Sequence, residues 1–228
     1  MKISYQLAGV VTILALMLVG CATDEFGNKR AYTDAERGAM WGAAGGAVLG
    51  ALVNKDAPAK GALIGAVGGG LVGSGVGHYM DNQKRDLEKA LAEEKNSGAI
   101  MLTKNADNII VIRMTSQTAF ATGSAALQSG FYSTLDKISS VVNRYGKTMI
   151  TIVGHTDSVG IASNNQALSE SRAGSVVQYF SQKGVVPQRL AARGMGANSP
   201  VADNSTEQGR QLNRRVELII EPVVADAK

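Results

Sequence analysis

The sequence predicts an α/β sandwich, one sheet with two main helices packed on it, preceded by a glycine-rich helical hairpin. Three observations carry this reading. From Ala99 onward, short β-rich runs alternate with long amphipathic segments. Between Gly38 and Gly77, glycine recurs at four-residue intervals. The 228 residues hold one Trp, four Phe and six Tyr against 27 Gly, so the glycine-rich part cannot be building an ordinary aromatic core. The 45% hydrophobic and 18% charged content is otherwise that of a globular protein.

Residues 1–20 read as an export signal. Lys2 supplies the positive start, Ala8 to Val19 is an apolar run too short to span comfortably, and the small Gly20 follows. The single cysteine, Cys21, comes next, which leaves no disulfide within the chain. Leu18-Val19-Gly20-Cys21 resembles the lipobox of bacterial lipoproteins, which implies that Cys21 is acylated and begins the mature chain, followed by a lipidated spacer over 21–37. Removing the signal takes one Lys from the 23 basic residues and none from the 19 acidic ones, for a net charge of +3. No basic run of five residues and no aromatic interleaving accompanies that small excess, so nothing indicates nucleic acid as a partner.

Thr33-Asp34-Ala35-Glu36 has the form of a capping box and starts the first helix. "GAMWGAAGGAVLG" follows, and after the turn-like "NKDAPAK" the pattern returns as "GALIGAVGGGLVGSGVG". Each glycine inside a helix costs about 1 kcal/mol relative to alanine, so this segment costs on the order of 10 kcal/mol unless packing offsets it. The spacing supplies the packing, because residues four apart share a helix face and glycines there form a groove that admits a second backbone. An antiparallel hairpin over 38–79, folded at Asn54 to Lys60, results, and its pattern resembles the glycine zippers of bacterial envelope lipoproteins. Its uncharged runs would be roughly 24 to 26 Å long as helices against a hydrocarbon core of about 30 Å. Homo-oligomerisation or partial insertion fits that length as well as spanning does.

From Met80 to Lys95 the chain changes sharply to "MDNQKRDLEKALAEEK", within a charged linker helix over 80–97 with Leu87 and Leu91 on one side and Lys89 to Glu93 as an i,i+4 pair. A hairpin follows, "AIMLTK" and "NIIVIRM" about a turn at Asn105 to Asp107. Leu127, Phe131, Leu135, Ile138, Val142 and Tyr145 then recur at helical spacing. Met149 to Val153 is a buried strand, Asn164 to Lys183 a second helix, Leu190 to Arg193 a strand, and "RRVELII" closes the domain after a polar loop containing Pro200.

The second helix carries an anomaly. On a helical projection Leu168, Ala173, Val176 and Phe180 mark the apolar side, and Asn165 and Arg172 fall on that same side. An inward guanidinium needs a partner, since an unpaired charge removed from water costs several kcal/mol. Asp157 stands in the loop after the preceding strand, at the strand end where open α/β folds collect ligands. The two charges either neutralise each other or form a receptor. Thr156, Asn165 and the helix N-terminus add neutral donors and favour a receptor for a zwitterion, with an ammonium on Asp157 and a carboxylate on Arg172.

"GHTDSVG", "NQALSESRAGSVVQYF" and "NRRVELII" together resemble the OmpA-like peptidoglycan-binding domain, over roughly Ala99 to Pro222. The second string fits the family form N-x2-L-S-x2-R-A-x2-V at Asn165, Leu168, Ser169, Arg172, Ala173 and Val176. The resemblance implies one mixed sheet with two main helices over 98–223, a tail at 224–228, and noncovalent binding of the diaminopimelate of the stem peptide. Asp157 and Arg172 would grip that group, with Thr156, Asn165, Leu168 and Arg214 close by. Phe120-Ala121 stands where the family often has Phe-Asp, so one acidic group is missing at the rim. Lipobox, zipper and this domain in one chain resemble the YiaD-type outer-membrane lipoproteins. Ala22 in place of Asp after the acylated cysteine implies outer-membrane sorting, with the C-terminal domain in the periplasm.

Other classes fit less well. His155 beside Asp157 lacks a Ser or Cys nucleophile in a plausible turn and reads as a local structural hydrogen bond, so no enzyme is expected. The two histidines, His78 and His155, lie in different segments and no Cys cluster exists, so neither a metal nor a cofactor is indicated. An alternative remains in which the zipper self-assembles in the membrane or serves envelope assembly and the C-terminal domain only provides localisation.

Overall fold

The computed structural model describes Leu71, residues 75–121 and 123–224, and two short strands near the N-terminus. Those strands, β1 (Ala22–Thr23) and β2 (Lys29–Arg30), pair antiparallel within a unit that ends at Ala44. Cys21, the capping box at Thr33 and the glycine repeats up to Gly73 lie outside the described residues, apart from Leu71.

In the second unit, helices α1 (Gly75–Ala90) and α2 (Ala92–Asn96) lead into strands β3 (Ile100–Lys104) and β4 (Ile110–Thr115). A short helix α3 (Ser116–Ala119) and a 3-10 turn precede helix α4 (Tyr132–Arg144). Strand β5 (Thr148–Gly154), the long helix α5 (Ala162–Gln182), strand β6 (Leu190–Gly194), helix α6 (Glu207–Asn213) and strand β7 (Arg215–Pro222) complete the chain. The sheet order is β3-β4-β7-β5-β6. Only β5 and β6 run parallel, so the sheet is mixed, as expected. The parallel pair is joined by α5 as a crossover, the connection that parallel strands require.

Strict alternation selects the covered face. Ile100 and Leu102 of β3, Ile110, Ile112 and Met114 of β4, Val216, Leu218 and Ile220 of β7, and Ile150 and Ile152 of β5 all point toward the helices and are buried. Leu135, Ile138, Val141 and Val142 of α4 and Ala173, Val176 and Phe180 of α5 meet them from the other layer.

The charged segment 80–97 differs from the linker helix expected of it. Met80, Leu87 and Leu91 are fully buried in the same core, and Tyr79 packs edge-on against Tyr145 beyond α4, with ring centroids 5.3 Å apart. Tyr145 donates to Asp86 at 2.9 Å, and Lys137 of α4 donates to Glu94 at 2.8 Å. The charges that made this segment look solvated occupy one face, while a sparse apolar stripe on the other suffices for packing. The expected Lys89–Glu93 pair does not form: the helix breaks at Leu91 between the two, and Glu93 reaches Lys137 instead, at 3.3 Å. Replacing Leu87 by Ala is therefore expected to cost about 2–5 kcal/mol in denaturant unfolding, the range for a large buried aliphatic. A free-standing linker would show no change.

Candidate functional site

Asp157 reaches its place because the chain leaves the sheet under restraint. Past Gly154, His155 N–H still donates to the Arg215 carbonyl at 2.9 Å, and Thr156 N–H donates to the Gly196 carbonyl at 2.9 Å. Residues 155–157 are thereby held between the start of β7 and the loop after β6. Arg172 is placed by a second device. A Cβ on Gly154 would fall inside the Ser169 carbonyl, and one on Gly194 would fall onto Glu170 and Ser169, so α5 lies backbone-close on both parallel strands. Ser169 Oγ completes the clamp, accepting from Gly196 N–H at 2.9 Å. One turn beyond Ser169 comes Arg172.

Asp157, Val159, Arg172, Arg214, Phe120 and Ser116 enclose most of an open cavity of about 460 Å³. The two central charges do not bond to each other. Asp157 Oδ2 accepts from Arg214 Nη1 at 2.6 Å, and its Oδ1 accepts from Val159 N–H at 3.0 Å. Arg214 is held from behind by Glu207, through Nη2 at 2.8 Å, and the two carboxylates raise its pKa above the ordinary arginine value. Arg172 donates from Nε to the Ser124 carbonyl at 3.0 Å and lies over the Phe120 ring, 5.3 Å from its centroid. Burial, and then the like charge of Arg214, push the Arg172 guanidinium below its usual value, with Asp157 acting the other way. Its Nη atoms make no hydrogen bond with the described residues, so a planar pair of donors is available to an incoming carboxylate.

The structure separates the expected site residues into two groups. Asp157, Arg172 and Arg214 line the cavity together. Thr156 and Asn165 serve the loop instead: Thr156 Oγ donates to the Asp157 carbonyl at 2.9 Å, and Asn165 Nδ2 donates to the carbonyls of Asp157 and Val159 at 3.3 and 3.0 Å. Leu168 is half-buried and stands outside the lining, because the buried side of α5 is centred nearer Ser169 and Val176. Ser116 carries no signal in the sequence, and Leu127, expected at the start of the amphipathic helix, instead pairs with Phe120 ahead of α4, while Gly123 at a φ of 66° shapes one wall. Ala121 lines the cavity, so the rim does lack an acid there.

His155 corrects one expectation. Its ring makes no hydrogen bond to Asp157, and neither nitrogen has a hydrogen-bond partner among the described residues. It faces Arg215, Glu217 and Arg113 on the other side of the sheet, with Nε2 3.9 Å from Glu217. Alternation along the strand end turns it away from the cavity. Burial, followed by the nearby arginines, lowers its pKa to about 4. The unfolded chain therefore binds a proton that the folded one refuses between about pH 6.5 and pH 4, and stability is full above that window and falls within it. Wild type is expected to lose about 3 kcal/mol between pH 7 and pH 4 from this group. His155→Gln should remove that share of the slope in pH-dependent urea unfolding; an identical slope would show that folding does not lower the His155 pKa.

The OmpA family model matches residues 119–214, the stretch that contains the cavity wall from Phe120 to Arg214 but not Ser116, and a YMGG-like Gly-zipper model matches residues 1–81. The probable lipoprotein YiaD of Escherichia coli K12 is 38% identical over 220 residues, which cover 96% of this chain and 98% of that protein. The chain belongs to the OmpA family. The OmpA-family domain is also similar to the peptidoglycan-binding protein ArfA of Mycobacterium bovis, at 34% identity over 102 residues, 45% of this chain and 31% of ArfA. Among solved structures, a putative MotB-like protein from Desulfovibrio vulgaris superimposes with a TM-score of 0.59 at 27% identity, covering 65% of this chain and 97% of that one. Among the described residues of this OmpA-family chain, no group of His, Cys, Asp and Glu could hold a metal ion, and no helix is long and apolar enough to cross a membrane.

Proposed function

We propose that this chain binds peptidoglycan noncovalently through the Asp157–Arg172 cavity, holding the diaminopimelate of the stem peptide. The observation that carries the reading is the placement of a carboxylate and a guanidinium in one cavity without a bond between them. A purely structural ion pair would close that gap. An amino acid head group bridges it, its carboxylate taking the free Nη donors of Arg172 and its ammonium sharing Asp157 with Arg214. Arg214 neutralises Asp157 while the site is empty, so that carboxylate is not left as an unpaired buried charge before ligand arrives. The ArfA relative, named for peptidoglycan binding, supports the substrate class.

The cavity has the character of a binding site, and no step of bond-making chemistry is assigned to it. Acylation of Cys21 would anchor the chain in the outer membrane with the domain in the periplasm, which would tether that membrane to the wall. Zipper contacts over 38–79 would support homo-oligomers, a role favoured by the Gly-zipper match. Purified protein is expected to co-sediment with isolated sacculi and to be displaced by free diaminopimelate. Lysine, which lacks the second carboxylate and stereocentre, should displace it more weakly. Equal competition by both would remove diaminopimelate as the recognised group, and Cys21→Ser protein that still partitions into membranes would remove the lipid anchor.

A further inference from the structure

Beside the cavity runs a second groove that the proposed function leaves unused. It has a volume of about 480 Å³ and is bounded by the loop 125–127, by Tyr132 at the start of α4, and by Ser175, Gln178, Tyr179 and Gln182 of α5. No charged side chain lines it. Tyr132 is 40% exposed, and its ring lies against that of Tyr179, with centroids 5.1 Å apart and planes tilted by 30°. Tyr179 is itself fixed, its hydroxyl donating to Asp136 at 2.7 Å and Lys183 resting over its face. The Gln178 and Gln182 amides make no hydrogen bond with the described residues and are available to a ligand.

Rigid aromatic faces joined to uncharged amides and a hydroxyl suit a hydrated, neutral, ring-shaped ligand, which presents C–H groups to an aromatic face and hydroxyl and acetamido groups to amides. That is the chemistry of an N-acetylated amino sugar. The groove also continues the first site. Arg172, Ser175, Tyr179 and Gln182 follow one another at intervals of three, four and three, forming one stripe of α5, and Ala121 and Gly123 border the cavity while Ala125, Ala126 and Leu127 border the groove. Gln178 follows Arg172 by about 9 Å of helix axis. In peptidoglycan, two residues and a lactyl ether separate diaminopimelate from the sugar, and extended chain spans at most about 3.6 Å per residue. Two extended residues reach about 7 Å and the lactyl ether extends that reach, so the stem can bridge the interval.

We propose that the Tyr132–Tyr179 groove is a saccharide subsite for the glycan strand of the same peptidoglycan whose stem peptide occupies the Asp157–Arg172 cavity. The proposal rests on that reading of the cavity and adds a contact to it. The test is calorimetric titration of the full chain in detergent with two probes, a disaccharide tripeptide containing diaminopimelate and the same tripeptide without sugars. Wild type is expected to bind the disaccharide form about tenfold more tightly, since each tenfold corresponds to roughly one good hydrogen bond or stacking contact. Tyr132→Ser and Gln178→Ala, both changes at the edge of the fold, should erase that difference and leave tripeptide affinity unaltered. Equal affinity of wild type for the two probes overturns the subsite while leaving the cavity assignment standing, as does a preference for the disaccharide form that survives in both variants. Failure of both probes to bind overturns the cavity reading and the subsite with it.

Discussion

Arg172→Ala is expected to reduce sacculus binding by about 100-fold while leaving a cooperatively folded domain. The guanidinium offers two unengaged donors, and a charge-assisted hydrogen bond contributes roughly 1.5–3 kcal/mol, so losing the pair removes about two decades of affinity. What the fold loses is smaller: one hydrogen bond to the Ser124 carbonyl and a cation–π contact with Phe120, together about 1–2 kcal/mol against a typical stability of 5–15. Asp157→Asn should weaken binding similarly. It does not strand Arg214, which keeps its 2.8 Å bond to Glu207. The contrast with a structural pair is sharp, because breaking a buried ion pair costs about 3–5 kcal/mol and the double variant then regains stability. Here the double variant should remain folded and remain unable to bind. Undiminished pull-down of Arg172→Ala on sacculi, with an unchanged thermal melt, would leave family membership as a statement about fold alone.

A single methyl group is expected to disturb both stability and binding. Gly154→Ala places a methyl group against the Ser169 carbonyl, and a backbone oxygen in the middle of a helix cannot rotate away as a side-chain terminus would. The whole 21-residue helix α5 must then lift from β5, pulling Ala173, Val176 and Phe180 out of register with the core and Arg172 out of the cavity. Overpacking of this kind costs about 3 kcal/mol. Sacculus binding should fall with it, since a site misplaced by an ångström loses its complementarity. Gly174, on the same helix, provides the comparison. Its added Cβ meets nothing within 4 Å, so Gly174→Ala should stabilise by up to about 1 kcal/mol through helix propensity and leave binding intact. Similar stabilities for the two variants would show that α5 does not rest on the strands as described.

Much of this architecture is legible along the chain because period encodes it. Alternation in "NIIVIRM" and helical spacing from Leu135 to Val142 locate the two layers, although Leu127, which shares that spacing, lies in a bridge to Phe120 ahead of the helix; the inward Arg172 can be read from a helical projection before any contact is known. The short helices α3 and α6 are not legible, since four and seven residues carry less than two turns of pattern. Segment 80–97 misleads for a different reason: charge counts report the solvated face, whereas Met80, Leu87 and Leu91 show their burial only once α4 and the sheet are beside them. The electrostatic partnership is likewise a matter of position in space. Arg214 lies 57 residues from Asp157 and 42 from Arg172, and nothing in their spacing says which arginine takes the carboxylate. Local periodicity depends on neighbours three or four residues away and so is written in the chain. Which buried charges bond to one another depends on how strand ends converge: pairing with β5 places β7, and the glycine contacts at 154 and 194 set the distance of α5 from β5 and β6.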